Sequence, residues 1–153
     1  MTFKQLFLAA LTLSSAVQLS AIIIKISSIA ELVQYIDDET LLLVDLDRTL
    51  IIINHTTNLA VPMEATTVGI IQSLQDQNFS IIGLTSRYQR FKKITVTDLT
   101  SNNIDLTKTA LPMPEDLTAQ FENYHEGILF CNEEGKGNHL KIFLTALTHK
   151  PKK

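Results

Sequence analysis

Two aspartates separated by one residue form the first group in the chain that could do chemistry. The continuously apolar segment from Leu41 to Val44 leads directly into Asp45, Leu46 and Asp47. Because residues two apart lie on the same face of an extended chain, both carboxylates can reach the same small volume. Two carboxylates held together repel each other unless a cation lies between them or one of them binds a proton. The pair therefore suits either a divalent metal with oxygen ligands or a division into nucleophile and acid–base group.

Hydroxyl and cationic side chains follow two further apolar runs. Thr85 and Ser86 come after the run 79–84, where a helix is expected to begin. Hydroxyls and free backbone amides at a helix start form a site for an anion such as phosphate, although an ordinary helix cap is the alternative. Lys136 stands between two glycines after the run 127–131. An ammonium group at a helix start is disfavoured unless an anion neutralises it, and a solvated surface lysine is the alternative.

The elements that must position these groups alternate between strands and helices. Apolar runs typical of strands buried on both faces occur at 41–44, 79–84 and 127–131. Helical patterns occur at 28–38, 62–77, 87–102, 115–124 and 137–147, with a loop at 111–114. Strands separated by helices indicate βαβ units and a mainly parallel sheet, so the predicted fold class is α/β. Ligands of such sheets bind beyond the carboxyl ends of the strands, where the aspartates, the hydroxyls and the lysine are expected.

Length, charge and composition narrow the class of protein. A chain of 153 residues corresponds to about one domain. Its 13 Lys and Arg residues against 16 Asp and Glu residues argue against a broad basic surface, so no nucleic-acid partner is expected. A hydrophobic content of 45% supplies a core and excludes a disordered protein. The single Cys131 excludes an internal disulfide framework and is expected to be buried and unreactive.

The first 21 residues have the features of a secretory signal peptide. Lys4 precedes the hydrophobic run 6–17, and small residues follow it. Cleavage after Ala16 or Ala21 fits this pattern, and the favoured second site leaves a mature domain of residues 22–153. We therefore expect an exported protein, periplasmic or secreted. An uncleaved membrane anchor is the alternative, but a spanning helix needs about 20 apolar residues and polar side chains interrupt this run.

Taken in order, these segments resemble the motifs of the haloacid dehalogenase-like (HAD) superfamily, whose members are mostly phosphatases. The segment LLLVDLDRTLI at 41–51 is similar to the first motif, FSIIGLTSR at 79–87 to the second, and GKG around Lys136 to the third. The chain is most similar to an exported HAD-like family of unknown function from intracellular bacteria. The resemblance covers residues 28–150. It implies a Rossmann-like, three-layer α/β sandwich with at most a small cap.

The resemblance also implies roles for the residues at the strand ends. Asp45 would attack phosphorus to form an aspartyl-phosphate, and Asp47 would protonate the leaving group and then activate water. Thr85, Ser86 and Lys136 would hold the phosphate oxygens. Mg²⁺ would bridge Asp45 and the substrate, with Asp45 and Asp47 at the metal. The implied substrate class is a phosphorylated small molecule.

One motif of the family has no counterpart in the sequence. The fourth motif is an acidic pair after a further strand, and the chain reaches Lys153 before any such strand. We therefore expect a domain truncated at its C-terminus, with weak or no Mg²⁺ binding and little or no phosphatase activity. The alternative is a non-enzymatic secreted protein or gene relic that keeps the fold and interacts with a host or cell-surface partner.

Overall fold

The computed structural model describes residues 27–37 and 40–148, so the predicted signal segment lies outside the described residues. The strands are β1 (Leu41–Asp45), β2 (Ile51–Ile53), β3 (Ala60–Pro62), β4 (Ser80–Thr85), β5 (Tyr124–His125) and β6 (Ile128–Phe130). The α-helices are α1 (Thr67–Asp76), α2 (Lys92–Thr100), α3 (Glu115–Thr118) and α4 (Lys136–Thr148). Short 3₁₀ helices occupy Ile29–Tyr35, Gln89–Phe91 and Leu106–Thr109. Within the described ranges, no helix is both long enough and apolar enough to span a membrane.

A four-stranded sheet in the order β1-β4-β6-β5 forms the centre of the fold. The strands β1, β4 and β6 are parallel, and β5 pairs antiparallel with β6 at one edge. Asp45 aligns with Leu84, and Thr85 aligns with Phe130, so the three parallel strands end at the same edge. This mainly parallel sheet with several helices confirms the predicted α/β class and is consistent with a Rossmann-like fold.

Hydrophobic side chains of the sheet divide between two cores, one on each face. Leu42 and Val44 of β1 pack in the same cluster as Ile71 of α1. Leu41 and Leu43, which point to the other face, pack in a second cluster with α4. All four residues of this run are at most 8% exposed. Burial on both faces explains why β1 is continuously apolar rather than alternating.

The chain between β1 and α1 differs from the sequence-based prediction. A helix was expected to start at Pro62, but Pro62 ends β3, which pairs antiparallel with β2 as a hairpin. The amide of Met63 continues this pairing by donating to the carbonyl of Leu50 at 2.8 Å. The helix α1 begins only at Thr67. The expectation was wrong because a proline can also end an edge strand, where its missing N–H does not cost a hydrogen bond of the sheet.

Three other predicted helices are shorter than their patterns suggested. The first, expected over 28–38, is a 3₁₀ helix whose cap Ser28 accepts a hydrogen bond from the amide of Ala30 at 3.3 Å. The helix expected over 87–102 begins at Lys92, after a 3₁₀ turn. The helix expected to reach Tyr124 ends after four residues, and Tyr124 lies in β5. Apolar side chains with helical spacing thus also occur where the chain turns back to add a short strand.

Gly127 makes the turn between β5 and β6, and its conformation predicts the effect of adding a side chain. Its φ is +75°, and a Cβ atom would lie 2.4 Å from the carbonyl oxygen of Leu106. We expect Gly127→Ala to lower the free energy of unfolding by about 2 kcal/mol, measured by urea denaturation. Gly69→Ala is the matched control, because a Cβ there meets nothing within 4 Å. In the first turn of α1 that substitution is expected to stabilise the protein by about 0.5 kcal/mol. Equal effects at both glycines would contradict the described turn.

Candidate functional site

Four of the side chains singled out in the sequence lie together at the carboxyl edge of the sheet. Asp45 ends β1, Thr85 ends β4, and Lys136 opens α4. The Nζ atom of Lys136 lies 2.5 Å from Oδ1 of Asp45. The hydroxyl of Thr85 donates to Oδ2 of Asp47 at 3.3 Å. Ser86 follows Thr85 at this edge with an exposed side chain, and its carbonyl accepts a hydrogen bond from the amide of a residue in the loop after β6.

The turn after β1 explains how two aspartates can face the site together. Leu46, which lies between them, is fully buried and anchors the turn in the core. Its carbonyl accepts hydrogen bonds from the amides of Thr49, Leu50 and Ile51, at 3.3, 3.0 and 3.1 Å. This arrangement closes the turn immediately after the strand. The carboxylates of the flanking aspartates are therefore left on the solvent side, at 43% and 45% side-chain exposure.

The loop between β6 and α4 places Lys136 opposite β1. The amide of Cys131 donates to the carbonyl of Thr85 at 2.8 Å, which extends the strand pairing by one residue. Asn132 and Glu133 then both adopt positive φ, at 48° and 64°, and reverse the chain. The left-handed conformation is uncommon for glutamate, and its presence in two successive residues marks a tightly determined turn. The helix α4 starts at Lys136 directly after this turn.

Electrostatics favours the Asp45–Lys136 pair at this position. An ammonium group is unfavourable near the positive end of a helix, so the carboxylate of Asp45 offsets a cost that α4 would otherwise bear. The side chains are 43% and 29% exposed, and solvent therefore screens the pair in part. Lys136 contacts Oδ1, while Oδ2 of Asp45 accepts no hydrogen bond from the residues that the structure describes.

Arg87 is a central residue of the site to which the sequence analysis gave no role. Its guanidinium group contacts Asp47 with Nη2–Oδ1 at 2.7 Å and with Nε at 3.2 and 3.1 Å from the two carboxylate oxygens. On its other side, Nη1 lies 2.9 Å from Oδ2 of Asp98 and 3.1 Å from the hydroxyl of Thr95, both in α2. The sequence contained one signal for this role. An arginine stands two residues after Thr85, and the helix predicted over 87–102 carries an acidic residue, Asp98.

The ionisation of two residues near the site follows from their surroundings. Burial alone would lower the pKa of Arg87, but hydrogen bonds and charge from Asp47 and Asp98 outweigh burial and raise the pKa above its usual value. The guanidinium group is therefore positively charged throughout the working pH range. Burial raises the pKa of Cys131 to about 11, with a smaller opposing effect from Lys136. A fully buried thiol with such a pKa has almost no thiolate at neutral pH, as expected for an unreactive cysteine.

The described residues fit a magnesium ion poorly. Mg²⁺ prefers octahedral oxygen coordination and gives up its waters reluctantly. Among the residues the structure describes, no group of three or more histidines, cysteines or acidic residues could hold a metal ion. Each of the two candidate carboxylates, Asp45 and Asp47, is instead paired with a cationic side chain. A metal bound here would have to compete with Lys136 and Arg87 for the same oxygens.

Comparison with known proteins identifies the family without assigning an activity. No curated protein and no solved structure matches the chain. A family model described as "Protein of unknown function (DUF2608)" matches residues 52–153, which is two thirds of the chain. Thr85, Arg87 and Lys136 lie within the matched segment, whereas Asp45 and Asp47 precede it. The chain therefore belongs to the DUF2608 family of proteins of unknown function.

Proposed function

We propose that this chain is a HAD-like phosphoryl-transfer domain in which Asp45 accepts the phosphoryl group and turnover is weak or absent. The observation that carries the proposal is the 2.5 Å contact between Lys136 and Asp45 at the edge where the parallel strands end. Phosphoryl transfer depends mainly on positioning and on neutralising charge. The free Oδ2 of Asp45 supplies a nucleophile, and the ammonium group beside it supplies positive charge for an incoming phosphate.

The hydroxyl groups after β4 complete the proposed phosphate site. Ser86 is exposed next to Thr85, so its hydroxyl is available to a phosphate oxygen. The hydroxyl of Thr85 is engaged with Asp47 and accepts a hydrogen bond from the amide of Arg87 at 3.1 Å, so it would have to exchange its partner to bind phosphate. The substrate class that we propose is a phosphorylated small molecule, because the hydroxyl of Ser86 and the ammonium group of Lys136 can both donate to a phosphate group.

Two features support weak turnover. The carboxylates of Asp45 and Asp47 are already neutralised by Lys136 and Arg87, so we propose that Mg²⁺ binds weakly in competition with them. Because each cation is already paired with an aspartate, the site without a tightly bound metal has no surplus positive charge to offset the repulsion between a phosphate dianion and the carboxylates. Lys136 relieves this repulsion only in part, because it is itself paired with Asp45.

Export of the chain stays a prediction from residues 1–21, which the structure does not describe.

A non-enzymatic protein that keeps this fold is the second candidate. The observation that favours it is the pairing of both aspartates with cations, which is also what a purely structural ion-pair network looks like. In that case the edge of the sheet stabilises the domain and another surface carries the interaction with a host or cell-surface partner. The two candidates differ in whether Asp45 ever becomes covalently modified.

Covalent phosphorylation of Asp45 tests the proposal directly. The full chain is incubated with an aryl phosphate, with Mg²⁺ or with a chelator, and its intact mass and the released phosphate are followed. We expect a phosphoryl group on the wild-type chain, negligible steady-state release of phosphate, and complete loss of the modification in Asp45→Asn. Asp76→Asn is the matched control, because this exposed residue ends α1 near the opposite edge of the sheet. An unmodified wild-type chain under all conditions would favour the non-enzymatic candidate.

A further inference from the structure

Both oxygens of the Asp47 carboxylate accept hydrogen bonds from neighbouring side chains. Oδ1 accepts from Nη2 of Arg87 at 2.7 Å and from Nε at 3.2 Å. Oδ2 accepts from Nε of Arg87 at 3.1 Å and from the hydroxyl of Thr85 at 3.3 Å. A carboxylate offers about four lone-pair positions in total. Three donor hydrogens, with that of Nε shared by both oxygens, therefore hold this carboxylate, and a proton carried on either oxygen would compete with Arg87 or Thr85.

Arg87 is itself held so that it cannot easily release Asp47. Its side chain is 18% exposed, and Nη1 is fixed by Asp98 and by Thr95, which is fully buried. Its own amide donates to the hydroxyl oxygen of Thr85, which leaves the hydroxyl hydrogen of Thr85 directed at Asp47. Planar guanidinium donors of this kind give orientation as well as charge, which a lysine at the same position would not.

Resting on the proposed function, we infer that this site takes acyl phosphates rather than alkyl phosphates, and that Arg87 sets this preference by holding Asp47 out of acid catalysis. An alkyl phosphate leaves as an alkoxide, a strong base comparable to hydroxide, which needs a proton during transfer. The leaving group of an acyl phosphate is a carboxylate, which is stable as an anion at neutral pH because carboxylic acids have a pKa of about 4. Only the second kind of donor can react without an acid.

The transfer step then balances without any proton movement. Oδ2 of Asp45 forms a bond to phosphorus, the bond between phosphorus and the acyl oxygen breaks, and its electron pair leaves on the carboxylate product. The phosphoryl group remains on Asp45 as a mixed anhydride. Its hydrolysis would need a base to take a proton from water, and both oxygens of Asp47 are engaged by Arg87 and Thr85. The phosphorylated chain is therefore a long-lived product of the reaction.

Acetyl phosphate and ethyl phosphate are suitable probes because they differ mainly in the leaving group. The rate at which each phosphorylates the full chain is measured by intact mass for wild type, Arg87→Gln and Arg87→Lys. Acetyl phosphate is intrinsically more reactive than ethyl phosphate. The deciding quantity is therefore the ratio of the acetyl phosphate rate to the ethyl phosphate rate, compared between variants. We expect the ratio to fall at least about tenfold in both Arg87 variants, since a freed acid contributes about 10²–10⁴-fold to the slower donor. In those variants the ethyl phosphate rate should also rise toward acidic pH.

Arg48→Gln is the matched control, since it removes the same charge one residue from Asp47 and leaves all four hydrogen bonds of that carboxylate in place. It should keep the wild-type ratio. Arg87→Lys preserves the charge and keeps the test decisive if Arg87→Gln does not fold. Asp45-dependent phosphorylation with an unchanged ratio and pH profile in Arg87→Lys would overturn this inference alone. Absence of phosphorylation in every variant with both donors would overturn the proposed function and, with it, the inference.

Discussion

Replacing Phe143 with alanine is expected to lower the free energy of unfolding by about 3–5 kcal/mol, measured by urea denaturation. Phe143 is fully buried in the core between α4 and the sheet. Its ring lies 5.4 Å from the ring centroid of Phe121, nearly perpendicular to it, and 4.7 Å from that of Tyr124. The substitution removes both aromatic contacts and leaves a cavity that neighbouring side chains can fill only in part.

Ile142→Ala is the matched control for this prediction. It removes an apolar side chain from the adjacent position of the same helix, but Ile142 is 59% exposed. We expect its effect to stay within about 0.5 kcal/mol. A loss below about 1 kcal/mol for Phe143→Ala would mean that α4 does not pack on the sheet through this residue. Since α4 begins with Lys136, the same result would also weaken the case for a preorganised contact with Asp45.

The three parallel strands could be predicted from the sequence because each is buried on both faces. The run expected at 79–84 is found as β4 (Ser80–Thr85), and the run at 127–131 contains β6 (Ile128–Phe130). The hairpin of β2 and β3 was missed, because its two strands have only three residues each and its second strand ends in a proline. Both strands are apolar, but three residues are too few to distinguish a strand from a turn or the end of another element.

The sequence could also predict that the site residues lie close together, but it could not predict which cationic side chain pairs with Asp47. Parallel strands that end at one edge bring Asp45 and Thr85 together whatever the details of packing. The partner of Asp47 depends on α2, because Thr95 and Asp98 of that helix hold the guanidinium group of Arg87. In the structure Thr95 is fully buried and accepts a hydrogen bond from Arg87. Such a choice among several nearby cations is decided by helix orientation, which the spacing of residues does not specify.

Replacing Lys136 with methionine is expected to separate function from stability. The pair with Asp45 is partly exposed, at 29% and 43% of the two side chains, so its loss should cost less than about 1 kcal/mol. Methionine also keeps the apolar stem and is a good helix former. If Asp45 accepts a phosphoryl group, however, the ammonium group is the principal positive charge facing the incoming phosphate. We therefore expect phosphorylation by acetyl phosphate to slow by about 10²-fold, the usual cost of removing one well-placed donor.

Lys141→Met is the matched control, because it makes the same change on an exposed position of the same helix. It should leave both the urea midpoint and the phosphorylation rate close to wild type. Equal slowing in both variants would mean that lysine acts through the overall charge of α4 rather than through contact with Asp45. A large loss of stability in Lys136→Met with no change in rate would mean that the pair is structural. In that case the approach of Lys136 to Asp45 stabilises the start of α4 against the helix dipole, and the non-enzymatic candidate becomes the better account of the site.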